Sequence, residues 1–485
     1  MRLPLLLALL MLPLAPLRAQ DGAALQQRVE AILAQAPAGT RFGLLVTDMD
    51  GKPLLAIAPD QRFIPASNTK LFTTAAAYAR LGALDQAARG TGVRIEPAGG
   101  GEVDVVLIGR GDARLSSAVD CVQSCLAVLA DAVAGKARRV RNVIGDDSWF
   151  PDERWSPGMG WNNIQTRSGT GISALTLDDN ELAAMVSPAG PGEAPVVAGV
   201  DYYRVDNRAI TGVGTENRLG YRREPNATVL RLVGTLGRET APERLRLGID
   251  DPAHYAAWRF KALLEARGVR VSGALLTRHR SLMPADDPVA RGGASAARPP
   301  EEKMLAELPA LPLAEDVRIV NKVSQNLHAE LLLRRLGGLD GGSGSIADGQ
   351  VAVRGVLAQA GVPANGVDLS DGSGMSTYNR ITPRAAVTLL GWAARQPWGA
   401  AWRETLPVGG QDGTLRRRFA GTALDGKIFA KTGSLNATNA LSGYLVAASG
   451  ETLVFSILSN DCPDGETDRA VAAMDEALLA IAASN

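Results

Sequence analysis

Residues 65–82 read PASNTKLFTTAAAYARLG. A serine, Ser67, stands three positions before a lysine, Lys70, at the head of an alanine-rich apolar run. Alanine and leucine favour helix, and Leu71, Ala75 and Tyr78 recur at i, i+4 and i+7. Gly82 is a suitable stop. Positions three apart on a helix share a face, roughly 5–6 Å between Cβ atoms, so the Lys70 amine can reach the Ser67 hydroxyl. The same letters also describe a capped helix with a solvated charge. Ser-x-x-Lys is common by chance, so the pair needs partners elsewhere in the chain before it signifies chemistry.

The chain has 485 residues, which is too many for one core, and two or three domains are expected. Hydrophobic residues make up 46% and charged residues 21%, as in an ordinary globular protein. The formal net charge is zero, so no overall field draws the chain to nucleic acid. The opening MRLPLLLALLMLPLAPLRAQ has a positive start at Arg2, a short apolar run interrupted by prolines, and a small residue, Ala19, for cleavage. It reads as a secretory signal peptide (1–19), not a membrane span. No cysteine follows the apolar run, so a lipid anchor is not expected there, while a weak association with a membrane surface stays open. Cys121 and Cys125 are either a disulfide in an oxidising compartment or two buried thiols on a helix, with Cys462 left over. His254, His279 and His328 stand far in sequence from any acidic cluster, and neither a metal nor a cofactor is expected.

Phe42 to Phe63 reads as a hairpin turning at Asp50-Gly51, followed by the Ser67 helix. From about Gly90 the texture changes to short strands between glycine turns. Ser116 to Ala137 reads as a helix, Val140 to Phe150 as a strand with an acidic end, and Asp251 to Val269 as a helix capped by Asp251. Ser281 to Pro312, rich in Pro, Ala and Gly, reads as a linker. Helix returns from Glu315 to Gly338, and GGLDGGSGS (337–345) reads as a flexible loop, since no GK[ST] follows to make it a phosphate loop. Three strands from Asp425 to Asn460 and an amphipathic helix close the chain. One organisation accommodates this: the hairpin and first helix join the C-terminal residues in one α/β unit, and a β-rich body is inserted between them.

Two further motifs give the Ser67–Lys70 pair its partners. Ser324-Gln325-Asn326 lies at a helix–loop position, and Lys431-Thr432-Gly433-Ser434 lies on a strand. Taken singly, Ser324 and Asn326 are ordinary caps and the Lys431 stretch is a solvated strand end. In this order and context they match the signature set of serine penicillin-binding proteins and the related β-lactamases. The chemistry needs these residue types. A serine hydroxyl requires a base, and a free lysine, with a pKa of about 10.4, is mostly protonated at neutral pH. Partial burial and a second cation, for which Lys431 is the natural choice, favour the neutral amine. Ser324 can relay a proton to the leaving nitrogen, and Asn326 can hold Lys70 and a substrate amide. Backbone N–H groups of Ser67 and Ser434 would form the oxyanion hole. Lys431, with the Thr432 and Ser434 hydroxyls and Gly433 between them, would take a terminal carboxylate. A Ser-His-Asp triad has no G-x-S-x-G elbow to stand on.

With these residues the chain resembles the D-alanyl-D-alanine carboxypeptidase/endopeptidase family of low-molecular-mass class C penicillin-binding proteins. The stretches IGRGDARL, VIGDDSWF, ISALTLDDN, VNKVSQNLHAELLLR, DGSGMSTYNRIT, LPVGGQDGTLRRRF and KTGSLNATNALSGYL extend the likeness over nearly the whole mature chain. The resemblance implies an α/β (α+β) fold: a β-lactamase/DD-transpeptidase-like domain (20–89 and 301–485) with an antiparallel sheet flanked by helices, a second domain inserted in it (90–178 and 246–300), and a third inserted in the second (179–245). It implies a periplasmic enzyme that cleaves peptidoglycan stem peptides ending in D-Ala-D-Ala, and cross-links, through an acyl-enzyme, and that binds β-lactam antibiotics. Ser67, Lys70, Ser324, Asn326 and Lys431 map onto the family's catalytic motifs. Asp146, or alternatively Asp147, maps to an acid that meets a substrate amine, and Met375 and Thr377 to the cleft wall. Neither nucleic acid nor a metal is implied, and a homodimer stays open. The rival readings are a β-lactamase-like hydrolase and a non-catalytic wall-binding scaffold.

Overall fold

The strand Arg41–Thr47 buries Leu44, Leu45 and Val46 in succession, so it must be covered on both faces. The computed structural model, which describes residues 17–82, 89–300, 303–310 and 312–485, shows how. Residues 1–16 of the expected signal peptide lie outside the described residues. Arg41–Thr47 pairs with Pro53–Ile57 through the expected hairpin and, antiparallel, with Thr452–Asn460 near the other end of the chain, Leu44 opposite Ile457. Thr438–Val446 and Ile428–Leu435 complete a five-stranded antiparallel sheet whose edge is the strand carrying Lys431.

Side chains alternate across this sheet. Leu45, Ala440, Tyr444, Val454 and Leu458 face a core built with the helices Thr69–Arg80, Asn326–Gly337 and Pro383–Ala394. Leu44, Val46, Leu441, Phe455 and Ile457 face the helices Leu17–Leu33 and Thr467–Ser484. Each fully buried Leu, Ile or Phe contributes about 1.5–3 kcal/mol, so the two layers hold the chain's beginning and end together.

Between them lies a second body with its own core. A six-stranded sheet of Arg89–Gly99, Glu102–Ile108, Arg139–Pro151, Arg270–Val271, Leu275–Arg280 and Ala306–Pro309 packs on the helices Leu126–Ala134 and Pro252–Glu265. Small sheets from Glu181–Ser187 to Glu243–Gly248 extend it. Ala113, Phe150 and Ala174 of this body bury Leu327 and Leu331 of the helix Asn326–Gly337, so the insertion packs directly against the element that follows Ser324.

Several local expectations are corrected. The helix expected from Ser116 begins only at Leu126, because Cys121 and Cys125 form a disulfide and Ser124 takes a left-handed φ of +51°. Val119 and Val122 on that loop are fully exposed and could not have formed a buried helix face. Cys462 is a buried free thiol. The expected linker contains the strand Ala306–Pro309, which pairs with Arg89–Gly99 and buries Leu308 in the inserted body, so the pairing carries that body past residue 301. The glycine-rich loop is pinned, with the buried hydroxyls of Ser343 and Ser345 donating to Asp348 and to the Asp286 carbonyl.

Two histidines distant from acids in sequence lie between carboxylates in space. His279 donates to Asp147 (2.8 Å) and lies 3.3 Å from Asp251, and these hydrogen bonds push its pKa up to about 10 despite burial. Burial opposes the charge on His328, yet Asp179 and Asp316 push its pKa up to about 9. Both are therefore cations at neutral pH, and among the described residues no cluster suits a metal ion.

Candidate active site

Ser67 sits on a single 3-10 turn, Ala66–Asn68, that feeds the helix Thr69–Arg80. Ala66 holds a positive φ of +48° and points the serine out of the turn. Ser67 is half-buried and Lys70 is fully buried. The Lys70 Nζ lies 2.9 Å from Ser67 Oγ, 2.6 Å from Asn326 Oδ1 and 2.6 Å from the Ser373 carbonyl. A capped helix with a solvated charge is thereby excluded: no side chain caps this helix, and the lysine has no solvent.

The expected single helix after Glu315 is two helices, Leu313–Lys322 and Asn326–Gly337, broken where Ser324 adopts φ +62°. The break turns the Ser324 hydroxyl to the strand Ile428–Leu435, where Lys431 Nζ donates to it at 2.9 Å and to the Thr432 carbonyl at 2.9 Å. The Asn326 amide is fixed from both sides, its Oδ1 on Lys70 and its Nδ2 donating to the Ser168 carbonyl of the inserted body (2.9 Å). Asn68 Nδ2 donates to the Lys431 carbonyl (2.8 Å) and ties the strand to the Ser67 turn. Only glycine fits at 433, since a Cβ there would lie 2.6 Å from the Pro65 carbonyl oxygen. Ser67, Lys70, Ser324, Asn326, Lys431 and Gly433 thus converge from positions hundreds of residues apart. Thr432 is half-buried, its hydroxyl 2.7 Å from that of Thr414, and Ser434 is exposed on the sheet edge.

Burial dominates the electrostatics. It lowers the Lys70 pKa from the usual 10.5 to about 7, against the opposing charges of Asp371 and Glu330. Burial, then the charge of Lys70, holds Lys431 well below the usual lysine range. Of the two causes expected to neutralise Lys70, burial is the one that lowers its pKa, while the charge effect between the two lysines bears on Lys431.

Sequence reasoning missed Glu330, Asp371, Ser373 and Thr414. Glu330 had a readable signal: it stands four residues after Asn326, on the same helix face, as the lone acid in a leucine-rich run. The Ser373 carbonyl carries no side-chain signature. Met375 lines a cleft with Asn326, Ser373, Trp155, Met159 and Ile172. Thr377 does not: its hydroxyl and N–H both bond to the Gly158 carbonyl. Nor does the strand end supply an acid there. Asp146 accepts from Ser148 and faces a separate cavity with Arg94, Arg110 and Trp149, while Asp147 is engaged by Ser173 and His279. Neither carboxylate lines the cleft that Met375 faces.

Gly374, at φ +90°, packs on the serine turn so closely that a Cβ would stand 1.9 Å from the Ala66 carbonyl oxygen and 3.0 Å from the Ser67 nitrogen. Both obstacles are backbone and cannot yield. Gly374→Ala is expected to cost about 3 kcal/mol and to slow acylation by penicillin at least about tenfold by displacing the turn. A thermal melt and a stopped-time labelling assay check it, and a wild-type rate would refute it.

Against known proteins, residues 25–481 match the D-Ala-D-Ala carboxypeptidase 3 (S13) family. The chain belongs to that family. A D-alanyl-D-alanine carboxypeptidase of Actinomadura sp. (strain R39) is 36% identical over 457 residues, 90% of this chain and 81% of the relative. A D-alanyl-D-alanine carboxypeptidase of Haemophilus influenzae is 25% identical over 91% of this chain and 89% of its own length. Among solved structures, penicillin binding protein 4 from Haemophilus influenzae superposes with a TM-score of 0.78 over 93% of this chain and 98% of its own, at 22% identity. The same protein complexed with a β-lactam gives 0.72 over the same shares, at 22% identity. These two likenesses are of fold. As an S13 peptidase this chain is a serine-type D-Ala-D-Ala carboxypeptidase with an α/β fold.

Proposed function

We propose that this S13 peptidase removes the terminal D-alanine of peptidoglycan stem peptides through an acyl-enzyme on Ser67. The observation that carries the reading is the buried Lys70 amine, shifted to about pH 7 and 2.9 Å from the Ser67 oxygen. The neutral amine takes the Ser67 proton as Oγ attacks the penultimate D-alanine carbonyl. Ser67 and Ser434 N–H groups receive the oxyanion. The proton gained by Lys70 is relayed through the Ser324 hydroxyl, which gives its own proton to the departing nitrogen as it receives that one; D-alanine leaves, and water then hydrolyses the ester to return the Ser67 hydroxyl. The strand Ile428–Leu435 lies at the edge of its sheet, so an extended peptide can pair with it. Thr432, Thr414, Ser434 and Lys431 would receive the terminal carboxylate. A β-lactam would enter the same path and stall as a stable ester.

Two observations support an exported, periplasmic protein: the leader ending near Ala19 and the Cys121–Cys125 disulfide, a bond of oxidising compartments. No helix among the described residues is long and apolar enough to cross a membrane.

Purified muropeptides incubated with the enzyme and read by mass spectrometry test the reading. Loss of one D-alanine from pentapeptides is expected, with conversion of cross-linked dimers to monomers as the endopeptidase activity. Unchanged pentapeptides would refute it.

A further inference from the structure

The helix Asn326–Gly337 buries an acid, Glu330, among leucines one turn beyond Asn326. Its carboxylate accepts from the Gly372 N–H (3.1 and 3.2 Å) and the Ser373 N–H (2.8 Å). The carbonyl of the same Ser373 receives the Lys70 amine. A second buried acid, Asp371, holds the rest of this loop through the Gly374 and Ser376 N–H groups and the Asn379 amide, at 2.6–2.8 Å. Thr73, on the Lys70 helix, closes the cage by donating to the Gly372 carbonyl. Two carboxylates are costly in so dry a place, and among the described residues neither has a cation bonded to it; both are held by N–H groups of this loop.

We propose that Glu330 is a positioning residue for the reaction: through the Ser373 peptide group it fixes the third partner of the Lys70 amine, and its negative charge sets the pH at which that amine becomes a base. This rests on the reading of Lys70 as base. The charged groups that bear on Lys70 are Glu330 from the helix Asn326–Gly337, Asp371 from the loop, and Lys431 from the strand Ile428–Leu435. Arg334, on the Glu330 helix, is itself bound to Glu153. Burial, reinforced by Asp371, pushes the Glu330 pKa up to about 7, so the acid and the Lys70 amine titrate over the same range and each favours the charged form of the other. A carboxylate stabilises a neighbouring ammonium, and its removal lowers the lysine pKa.

The test is the pH profile of penicillin acylation for the wild type and Glu330→Gln, which keeps the shape and one acceptor. In the wild type the rate climbs to a plateau with a midpoint near pH 7. In Glu330→Gln the climb moves to lower pH by about one unit, with Tm retained as the check on folding. An unmoved midpoint with a merely lower plateau would show a structural role and overturn the proposal. Disappearance of the climb would make Glu330 the titrating base and overturn it too. If Glu330→Gln does not fold, Asp371→Asn must show a shift of the same sign, and a wild-type rate flat from pH 5 to 9 overturns the proposal without any variant. A wild type that takes no penicillin at any pH removes the functional reading and this inference together. A labelled wild type with an unmoved variant removes this inference alone.

Discussion

Ser67→Ala is expected to abolish covalent labelling by penicillin and to reduce D-alanine release at least about 10⁴-fold, with the fold intact. The size of the effect follows from the site having one nucleophile. Ser324, the other hydroxyl in the cluster, is held by the amine of Lys431, not by Lys70, and so has a different base and a different place. The fold survives because Lys70 keeps Asn326 and the Ser373 carbonyl, and losing one hydrogen bond costs about 1 kcal/mol. A labelling gel and a melt of both proteins check this. Labelling of the variant at the wild-type level would place the acylated residue elsewhere and discard the site. The same gel, run over time, separates a carboxypeptidase from the β-lactamase reading: a persistent label is expected, whereas rapid loss with steady nitrocefin turnover would favour the lactamase.

The parts of this site that were legible in the sequence are those whose chemistry resides in side-chain identity and short spacing. Ser67 and Lys70 needed only helix geometry, and Lys431 only a strand beside two others. The hairpin and the three C-terminal strands were readable because both show short, largely apolar stretches bounded by Asp-Gly and Ser-Gly turns. Other features depended on contacts that no local pattern encodes. The break at Ser324 interrupts a sequence that is helical by propensity on both sides, and it is held by Lys431 and by the inserted body at Ser168. The direction of Asp146 depends on the pleat of a strand whose two faces are both covered. His279 and His328 meet acids supplied by other elements of the tertiary structure, Asp147 and Asp251 for the first and Asp179 and Asp316 for the second. The balance of causes at Lys70 had the same root: a charge can be read from a letter, but full desolvation belongs to the assembled core.

Desolvation is also why removal of Lys70 is expected to be the second large effect. At a pKa of 10.5 a lysine is neutral in roughly 3 molecules of 10,000 at pH 7, whereas near 7 about half of the protein holds the free base, a gain of about 10³ in the active form. Lys70→Met should forfeit this gain and the proton transfer itself, slowing acylation by about 10³–10⁴-fold. It should remain folded, because two losses oppose each other. The Asn326 and Ser373 oxygens lose a donor, at about 1–3 kcal/mol each, while the methionine no longer carries an amine out of water. The pH profile distinguishes this lysine from the other. Protonation of Lys70 disables the base, so the wild-type rate falls as pH drops through about 7. Lys431 contacts Ser324 and not Ser67, so its own titration does not take the base away from the nucleophile. In Lys70→Met the small residual rate should therefore be level between pH 6 and 8. If it still fell tenfold across that range, the group titrating near neutrality would not be Lys70, and the proton would have to leave Ser67 by another path.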